Sequence, residues 1–114
     1  MNMKQRNLDE YLKEIGRAEL LTIDDERELV KAVQEKGVNC DEMKRLEKAD
    51  ARFVVSVANQ YQNKGLTIWE LIDAGIEGLR KAAMKYKLDN DIKFIDYAVW
   101  WIRQSILQEV ESRK

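Results

Sequence analysis

Apolar residues recur at three- and four-residue intervals along almost the whole chain, and no proline interrupts them. This interval matches the turn of an α-helix, so each run places its apolar side chains on one face. Five glycines in 114 residues leave few other breaks, and no segment shows the strict alternation of a half-buried strand. The pattern predicts an all-α fold of about five to six helices, with a long helix at the C-terminal end.

Polar residues mark several helix starts. Thr22 precedes two aspartates, an arrangement that favours a helix N-terminus. Thr67 and Glu70 have the spacing of a capping box, in which each side chain binds the backbone N–H of the other residue. We also predict a long helix from about Asp41 to Asn63, and we expect Asp91 to be the N-cap of the last helix.

The residue types present exclude several functional classes. Histidine is absent and Cys40 is the only cysteine, so the common zinc sites, an internal disulfide and the usual nucleophile–base pairs are ruled out. We therefore expect no enzyme activity, no metal and no cofactor. The formal net charge is −1, so any contact with nucleic acid needs a local patch.

The length and hydropathy of the chain suit a single domain. A chain of this length can bury a core without disulfides or metals. We expect residues 7–114 to form one helical domain, with 7–37 as an upstream segment and 38–114 as the core, behind a flexible N-terminus at residues 1–6. No apolar run approaches bilayer length, and residues 1–6 are not followed by the apolar region of a signal peptide. A cytoplasmic location without membrane contact is the expectation.

The segment from Lys93 to Gln104 carries the strongest functional signal. It holds two of the three tryptophans side by side, and residues adjacent on a helix point about 100° apart. Trp101 continues an apolar stripe, whereas Trp100 shares a face with Tyr97 and with planar or charged groups. Flat rings beside such groups suit stacking on bases and reading of base edges. Spacing alone also fits, and favours, a simpler arrangement in which a core tryptophan lies beside a boundary tryptophan.

This segment resembles the promoter-reading helix of the sigma-70 family of bacterial RNA polymerase sigma factors, whose pattern is close to K-F-x-x-Y-A-x-W-W-I-R-Q. The resemblance implies a compact multi-helix bundle of the sigma-factor domain 2 type and a role in transcription initiation. It covers about residues 7–113, because further segments resemble the same family in the same order: 11–16, 20–22, 52–58, 61–66 and 75–79.

In this family, the corresponding surface reads and helps to melt the minus-ten promoter element. The resemblance implies that Trp100 and Trp101 lie at the upstream fork of the melted DNA, and that Tyr97 stacks on or replaces the first flipped adenine. Gln104 would face the upstream base pair, where a carboxamide can pair with adenine. The other implied DNA-binding residues, for phosphates or for the aromatic pocket, are Lys93, Arg103 and Tyr86. The open alternative is that Phe94, Trp101 and Tyr86 mainly pack.

A second implied surface docks on a coiled coil of the largest catalytic subunit of the polymerase core. Acidic groups there would meet arginines in charge-assisted hydrogen bonds. The implied docking residues are Trp69, Glu70, Asp73, Ile76 and Arg80. Glu70 also fits the role of a capping-box acid, and both roles can hold at once. The implied partners are polymerase core and promoter DNA, mainly its non-template single strand, with an anti-sigma protein as a further candidate.

Several residues depart from the family pattern. On the implied docking helix these are Ala74, Ile76 and Arg80. Around the implied DNA surface they are Asp50, Asp89, Asn90 and Asp96. Added acids and missing arginines disfavour contact with phosphates. The departures motivate a second hypothesis, a divergent protein–protein interaction module on the same scaffold, acting as a regulator or decoy with weak or no DNA melting.

Overall fold

The computed structural model describes residues 7–89 and 91–113, and within these residues the chain forms five α-helices and no strand. The all-α prediction is therefore confirmed. The predicted flexible segment at residues 1–6 lies outside the described residues. No helix in the described part of the chain is both long enough and apolar enough to cross a membrane. The helices are α1 (Leu8–Gly16), α2 (Ile23–Lys36), α3 (Asp41–Asn59), α4 (Ile68–Lys85) and α5 (Phe94–Ser112).

The starts of α2 and α4 are capped by their own residues, as their sequences predict. The Thr22 hydroxyl accepts a hydrogen bond from the N–H of Asp25 at 3.0 Å, and the Asp25 carboxylate accepts from the N–H of Thr22 at 3.4 Å. At α4, the Thr67 hydroxyl accepts from the N–H of Glu70 at 3.1 Å, and the Glu70 carboxylate accepts from the N–H of Thr67 at 3.0 Å. Each capping box satisfies amides that a helix start otherwise leaves unpaired.

Two helix boundaries differ from their predictions. The N-cap of α5 is Lys93 rather than Asp91, and the Lys93 side chain makes no capping hydrogen bond. The third helix ends at Asn59 instead of Asn63. Asn63 instead has a left-handed backbone, with φ 68°, in the turn that follows. Asparagine tolerates that conformation better than most residues, so a residue expected to extend the helix helps to form the turn.

Side chains of α2 hold the connection between α4 and α5. The Gln34 carboxamide nitrogen donates to the carbonyls of Ala83 at 2.9 Å and Tyr86 at 2.7 Å, at the C-terminal end of α4. The Arg27 guanidinium donates to the carbonyl of Leu88 at 2.6 Å. Carbonyls at a helix end lack partners within the helix, so α2 completes the end of α4. The connection that leads into α5 is therefore held by side chains of another helix.

Two glycines of α4 lie in close contact with neighbouring helices, Gly78 with α5 and Gly75 with α3. A Cβ atom on Gly78 would lie 2.5 Å from the carbonyl oxygen of Trp101 and 2.8 Å from the Cα of Ile102. A Cβ atom on Gly75 would lie 2.7 Å from a methyl carbon of Val54. These separations are well inside van der Waals contact. The absence of a side chain at Gly78 therefore lets the backbone of α5 rest directly on α4, and this contact fixes the position of the tryptophan segment.

Candidate nucleic-acid interface and docking face

Trp100 and Trp101 occupy different environments on α5, as the helical spacing predicts. Trp100 is 56% exposed, whereas Trp101 is half-buried against the core. Their rings meet edge to face, with centroids 5.2 Å apart and planes at 85°. An exposed indole held by a neighbouring ring is a firm surface on which a base can stack.

A cluster of aromatic rings continues from the tryptophans toward the end of α4. The ring centroid of Tyr97 is 6.4 Å from that of Trp101 and 5.4 Å from that of Tyr86. Tyr86 is only 2% exposed, and its hydroxyl donates to the backbone carbonyl of Ile92. Its ring also meets buried Phe94 nearly at right angles. Tyr86 and Phe94 thus pack in the interior and support Tyr97, which is half-buried and remains partly accessible.

The polar residues predicted for DNA binding separate into two groups on α5. Gln104 is exposed one turn after Trp100, so its carboxamide lies on the same helix face as the indole. Arg103 is half-buried and reaches the residue that follows α3, where its guanidinium donates to the Gln60 side-chain oxygen at 2.9 Å. Lys93 is exposed at the helix start. The structure therefore groups Gln104 with Trp100 and connects Arg103 to the end of α3.

Lys85 adds a positive charge that the sequence analysis did not single out. It lies in the last turn of α4, and its ammonium nitrogen is 5.8 Å from the centroid of the Trp101 ring. This separation is within the range of a cation–π contact. Only the packing of α4 on α5 brings the two residues together. The signal available in the sequence was a pair of lysines, Lys81 and Lys85, one turn apart near the end of α4.

Two acidic residues are buried near the start of α5. Asp50 on α3 is 3% exposed, and its Oδ2 atom has no hydrogen-bond partner. Burial, and then the charge of Glu26, raises the pKa of Asp50 to about 7. Glu26 on α2 is 9% exposed; burial raises its pKa, while a hydrogen bond from the backbone N–H of Ile95 lowers it. Sequence reasoning noted Asp50 alone, because Glu26 resembles the other acids in the first turn of α2.

Glu70, the first acidic residue predicted for docking, is engaged at both carboxylate oxygens. Oε1 accepts from the N–H of Thr67 at 3.0 Å, and Oε2 lies 3.1 Å from the guanidinium of Arg113. Hydrogen bonds from Thr67, its backbone N–H above all, lower the pKa of Glu70. Asp73, almost one turn later, is more exposed; its partial burial and the charge of Glu70 raise its pKa. Asp73 is therefore more open to a partner than Glu70 is.

The other predicted docking residues lie along the same helix. Trp69 is half-buried, and its ring meets that of Tyr11 on α1 with centroids 5.2 Å apart. Ile76 lines a groove of about 590 Å³ between α1, the connection after it and α3. The Nε atom of Arg80 lies 3.5 Å from a carboxylate oxygen of Glu47, an ion pair without hydrogen-bond geometry. Trp69, Asp73, Ile76 and Arg80 follow four- and three-residue steps, and Glu70 lies three residues before Asp73 at the edge of the same face. These five residues are called the docking strip of α4.

Two family models match consecutive parts of the chain. Sigma-70 factor, region 1.2, matches residues 8–37, and Sigma-70 region 2 matches residues 48–114, which is more than half of the chain. The first match covers α1 and α2, and the second covers most of α3 with α4 and α5. The chain therefore belongs to the sigma-70 family, and the resemblance seen in its tryptophan-rich helix is confirmed.

Several similar proteins carry the name RNA polymerase sigma factor SigA. The chain is 45% identical over 105 residues to RNA polymerase sigma factor SigA of a Bacillus species. It is 42% identical over 103 residues to SigA of Listeria monocytogenes and 41% identical over 104 residues to SigA of Lactococcus lactis subsp. cremoris. These alignments cover 90% of this chain but 27% to 29% of each relative. The chain thus spans little more than a quarter of the length of the relatives it matches.

Proposed function

We propose that this domain acts in transcription initiation, by docking on RNA polymerase core and capturing single-stranded bases of the minus-ten promoter element. The observation that carries the proposal is an exposed indole, Trp100, on the same face of α5 as the Gln104 carboxamide. Membership of the sigma-70 family and similarity to proteins named RNA polymerase sigma factors support it. The role is that of a non-enzymatic binding factor that works with polymerase in the cytoplasm.

Base capture needs flat surfaces that are already in place, and α5 supplies them. A base stacked on an aromatic side chain contributes about 1–3 kcal/mol, and the Trp100 ring is held by contact with Trp101. We assign Tyr97 the place of the first flipped adenine at the upstream fork. Its ring packs between those of Tyr86 and Trp101. A ring ordered before binding loses less entropy when the base arrives, which favours affinity.

Gln104 and nearby cations would complete the surface on its duplex side. A carboxamide can pair bidentately with adenine in the major groove, so Gln104 is assigned to the last base pair of the upstream duplex. Lys93 and Lys85 would neutralise phosphates; Lys93 is exposed at the start of α5, and Lys85 lies over the ring of Trp101. Arg103, which donates to a side chain at the end of α3, is assigned mainly to supporting the helix.

The docking strip on α4 is proposed to bind the coiled coil of the largest polymerase subunit. Asp73 and Glu70 would meet arginines there, since carboxylates and guanidinium groups form strong bidentate bonds. Because Arg113 already pairs with Glu70, docking would exchange one arginine for another at that carboxylate. Trp69 and Ile76 would add apolar contact area on the α1 side of the strip.

The second candidate function is a polymerase-bound regulator that does not open DNA. Asp89, Asp91 and Asp96 favour it, because all three are exposed just before or within the first turn of α5. Acids beside a phosphate track weaken the binding of nucleic acid, most of all at low salt. The two functions share polymerase docking and differ in DNA binding.

Binding of a fluorescein-labelled single strand carrying a minus-ten sequence tests the first function. We expect binding to quench tryptophan fluorescence and to weaken as salt rises, and we expect Trp100→Ala to lower affinity by about five- to hundredfold, the loss of one stacked base. Leu20→Ala is the matched control, because Leu20 is also an exposed apolar residue, at 72%, but lies between α1 and α2. Equal affinity for a scrambled strand would contradict promoter reading.

A pull-down with polymerase core separates the two functions. Asp73→Lys should reduce capture of the core, and it is preferred to a change at Glu70, which also caps α4. Trp100→Ala should leave capture unchanged. If the parent binds core but not the single strand, and Asp89→Lys with Asp91→Lys creates strand binding, the regulator is the correct function. If the parent binds neither, both functions are wrong.

A further inference from the structure

The groove of about 590 Å³ beside the docking strip has an apolar floor. It lies between α1, the connection after α1, and α3, and its apolar lining includes Tyr11, Ile15, Ala49, Ala51 and Ile76. The two alanines are buried on α3, and their short side chains leave the space open between the helices. A concave, mainly apolar space of this volume has the size of a small-molecule site.

The acidic side chains that line the groove already have partners within the chain. The Arg45 guanidinium donates to Glu19, with Nη2 3.0 Å from Oε2. Glu47 lies 3.5 Å from the Nε atom of Arg80, and Glu14 is not free either. These three acids would repel a ligand with many negative charges, such as nucleic acid. The groove therefore favours a ligand with a single negative charge.

Two lining cations, Arg17 and Lys48, are left for such a charge. Arg17 directly follows α1 and Lys48 lies on α3, so they belong to different walls of the groove. Both side chains are exposed, and neither forms an ion pair with another residue in the described ranges 7–89 and 91–113. An apolar floor with unpaired cations at its edge complements a ligand that has an apolar body and one acidic group.

We propose that this groove binds a small amphipathic carboxylate of the medium-chain fatty acid type, and that the bound ligand hinders docking on polymerase core. The hydrocarbon chain covers the alanine floor, and the carboxylate accepts hydrogen bonds from Arg17 and Lys48. Docking is affected because Ile76 belongs both to the groove and to the docking strip. Only the effect on docking rests on the proposed function; ligand binding does not.

NMR of the tryptophan indole N–H groups tests the location of the ligand. Trp69 reports on the groove, because its ring centroid is 5.2 Å from that of Tyr11, which lines the groove. Sodium octanoate, added below its micelle concentration, should shift the Trp69 signal, which Trp69→Phe assigns, and should leave the signals of Trp100 and Trp101 in place. An unchanged Trp69 signal, or a shift at Trp100 and Trp101 alone, would overturn the proposal.

Charge variants and uncharged ligands test the role of the two cations. Arg17→Ala and Lys48→Ala should each weaken octanoate binding by about two- to fivefold, the range for an ion pair that solvent reaches. The matched controls are Lys13→Ala and Lys44→Ala, at exposed lysines one turn earlier that do not line the groove. The uncharged 1-octanol should bind about fivefold more weakly than octanoate. Equal binding of the two ligands, or equal losses in the variants and their controls, would overturn the proposal.

A pull-down with polymerase core tests the effect on docking. Octanoate should lower capture of core by the parent, 1-octanol at the same concentration should lower it less, and Lys48→Ala should need more octanoate for the same fall. Undiminished capture at saturating octanoate would overturn the effect on docking. A parent that binds octanoate but captures no core supports the ligand site and refutes the proposed function. Capture of core without octanoate binding does the reverse.

Discussion

The helices α4 and α5 pack against each other, but their N-terminal turns are stabilised in different ways. The first turn of α4 is capped by its own Thr67 and Glu70. The first turn of α5 lacks a side-chain cap at Lys93, and the connection that leads into it is held by Arg27 and Gln34 of α2. A helix N-terminus that is capped by its own residues can form wherever that helix forms. A helix N-terminus that is held by another helix is complete only when the two helices are docked. The proposed polymerase contact thus lies on a self-contained helix, and the proposed nucleic-acid contact on a dependent one.

The largest expected effect is at Asp50, which is buried on α3. Its pKa rises from 3.8 to about 7 on folding, so unfolding releases a proton between those values. The free energy of unfolding should therefore fall as pH rises from 4 to 7, by up to about 4 kcal/mol, and should change little above pH 7 through this residue. Asp50→Asn should lose this decline and be more stable than the parent at pH 7.5. Urea unfolding at pH 5 and 7.5 measures the effect.

The control for this experiment is Asp89→Asn, because Asp89 is an exposed aspartate in the connection before α5. It should leave the pH dependence of the parent intact. If the Asp89 and Asp50 variants show the same pH profile, the buried site does not carry a proton of its own.

Gly78→Ala should break the contact that joins the two helices. The new methyl group would lie 2.5 Å from a backbone carbonyl oxygen of α5, and backbone cannot move aside without separating the helices. We expect a loss of about 3 kcal/mol in the free energy of unfolding. Gly75→Ala is the matched variant; its closest neighbour is a methyl group of the Val54 side chain, which can shift, so its loss should be smaller. Equal losses in urea unfolding would contradict this account.

Substitutions at the two N-caps compare the helix starts directly. Thr67→Ala removes the hydroxyl that accepts from Glu70 and should cost about 1 kcal/mol of stability. Lys93→Ala removes a side chain that makes no capping bond and should change stability by less than about 0.5 kcal/mol. Thermal unfolding of both variants measures the difference. A larger loss from Lys93→Ala would mean that α5 does depend on its own N-cap residue.

Arg113→Ala should have the smallest effect on stability. The Arg113 side chain is 51% exposed and that of Glu70 is 33% exposed, and ion pairs that solvent reaches contribute little to folding. The unfolding midpoint should stay within measurement error. Capture of polymerase core should rise modestly, because Glu70 no longer has an arginine of its own chain to give up. Lys31→Ala, at another exposed cation, should leave capture unchanged, and a fall in capture with Arg113→Ala would contradict the exchange of arginines.

The features that sequence predicted are those encoded within one or two helical turns. Thr67 and Glu70 are three positions apart, and that spacing alone fixes the capping box. The exposure of Trp100 and the partial burial of Trp101 follow from their phase on one helix. The family, too, was recognisable from the order of residues in α5.

The features that sequence missed depend on which helices touch. Asp91 has the chemistry of an N-cap, but α5 starts at Phe94, after a connection that Arg27 of α2 holds at Leu88. Lys85 reaches the Trp101 ring only through the packing of two helices. The interaction of Glu26 with Asp50 joins residues of α2 and α3 whose separate patterns show two ordinary helical acids. Each feature that the sequence did not predict depends on contacts between helices, and local sequence patterns carry no information about such contacts.

The carboxamide of Gln34 bridges two carbonyls that bracket the final residues of α4. Gln34 lies in the stretch matched by the first sigma-70 family model, and both carbonyls lie in the stretch matched by the second. The two regions that are matched separately in the sequence are therefore joined by hydrogen bonds in the folded structure. A protein trimmed to the second stretch would lack the donor for these two carbonyls. It would keep the aromatic rings but lose the Gln34 hydrogen bonds that help to orient them.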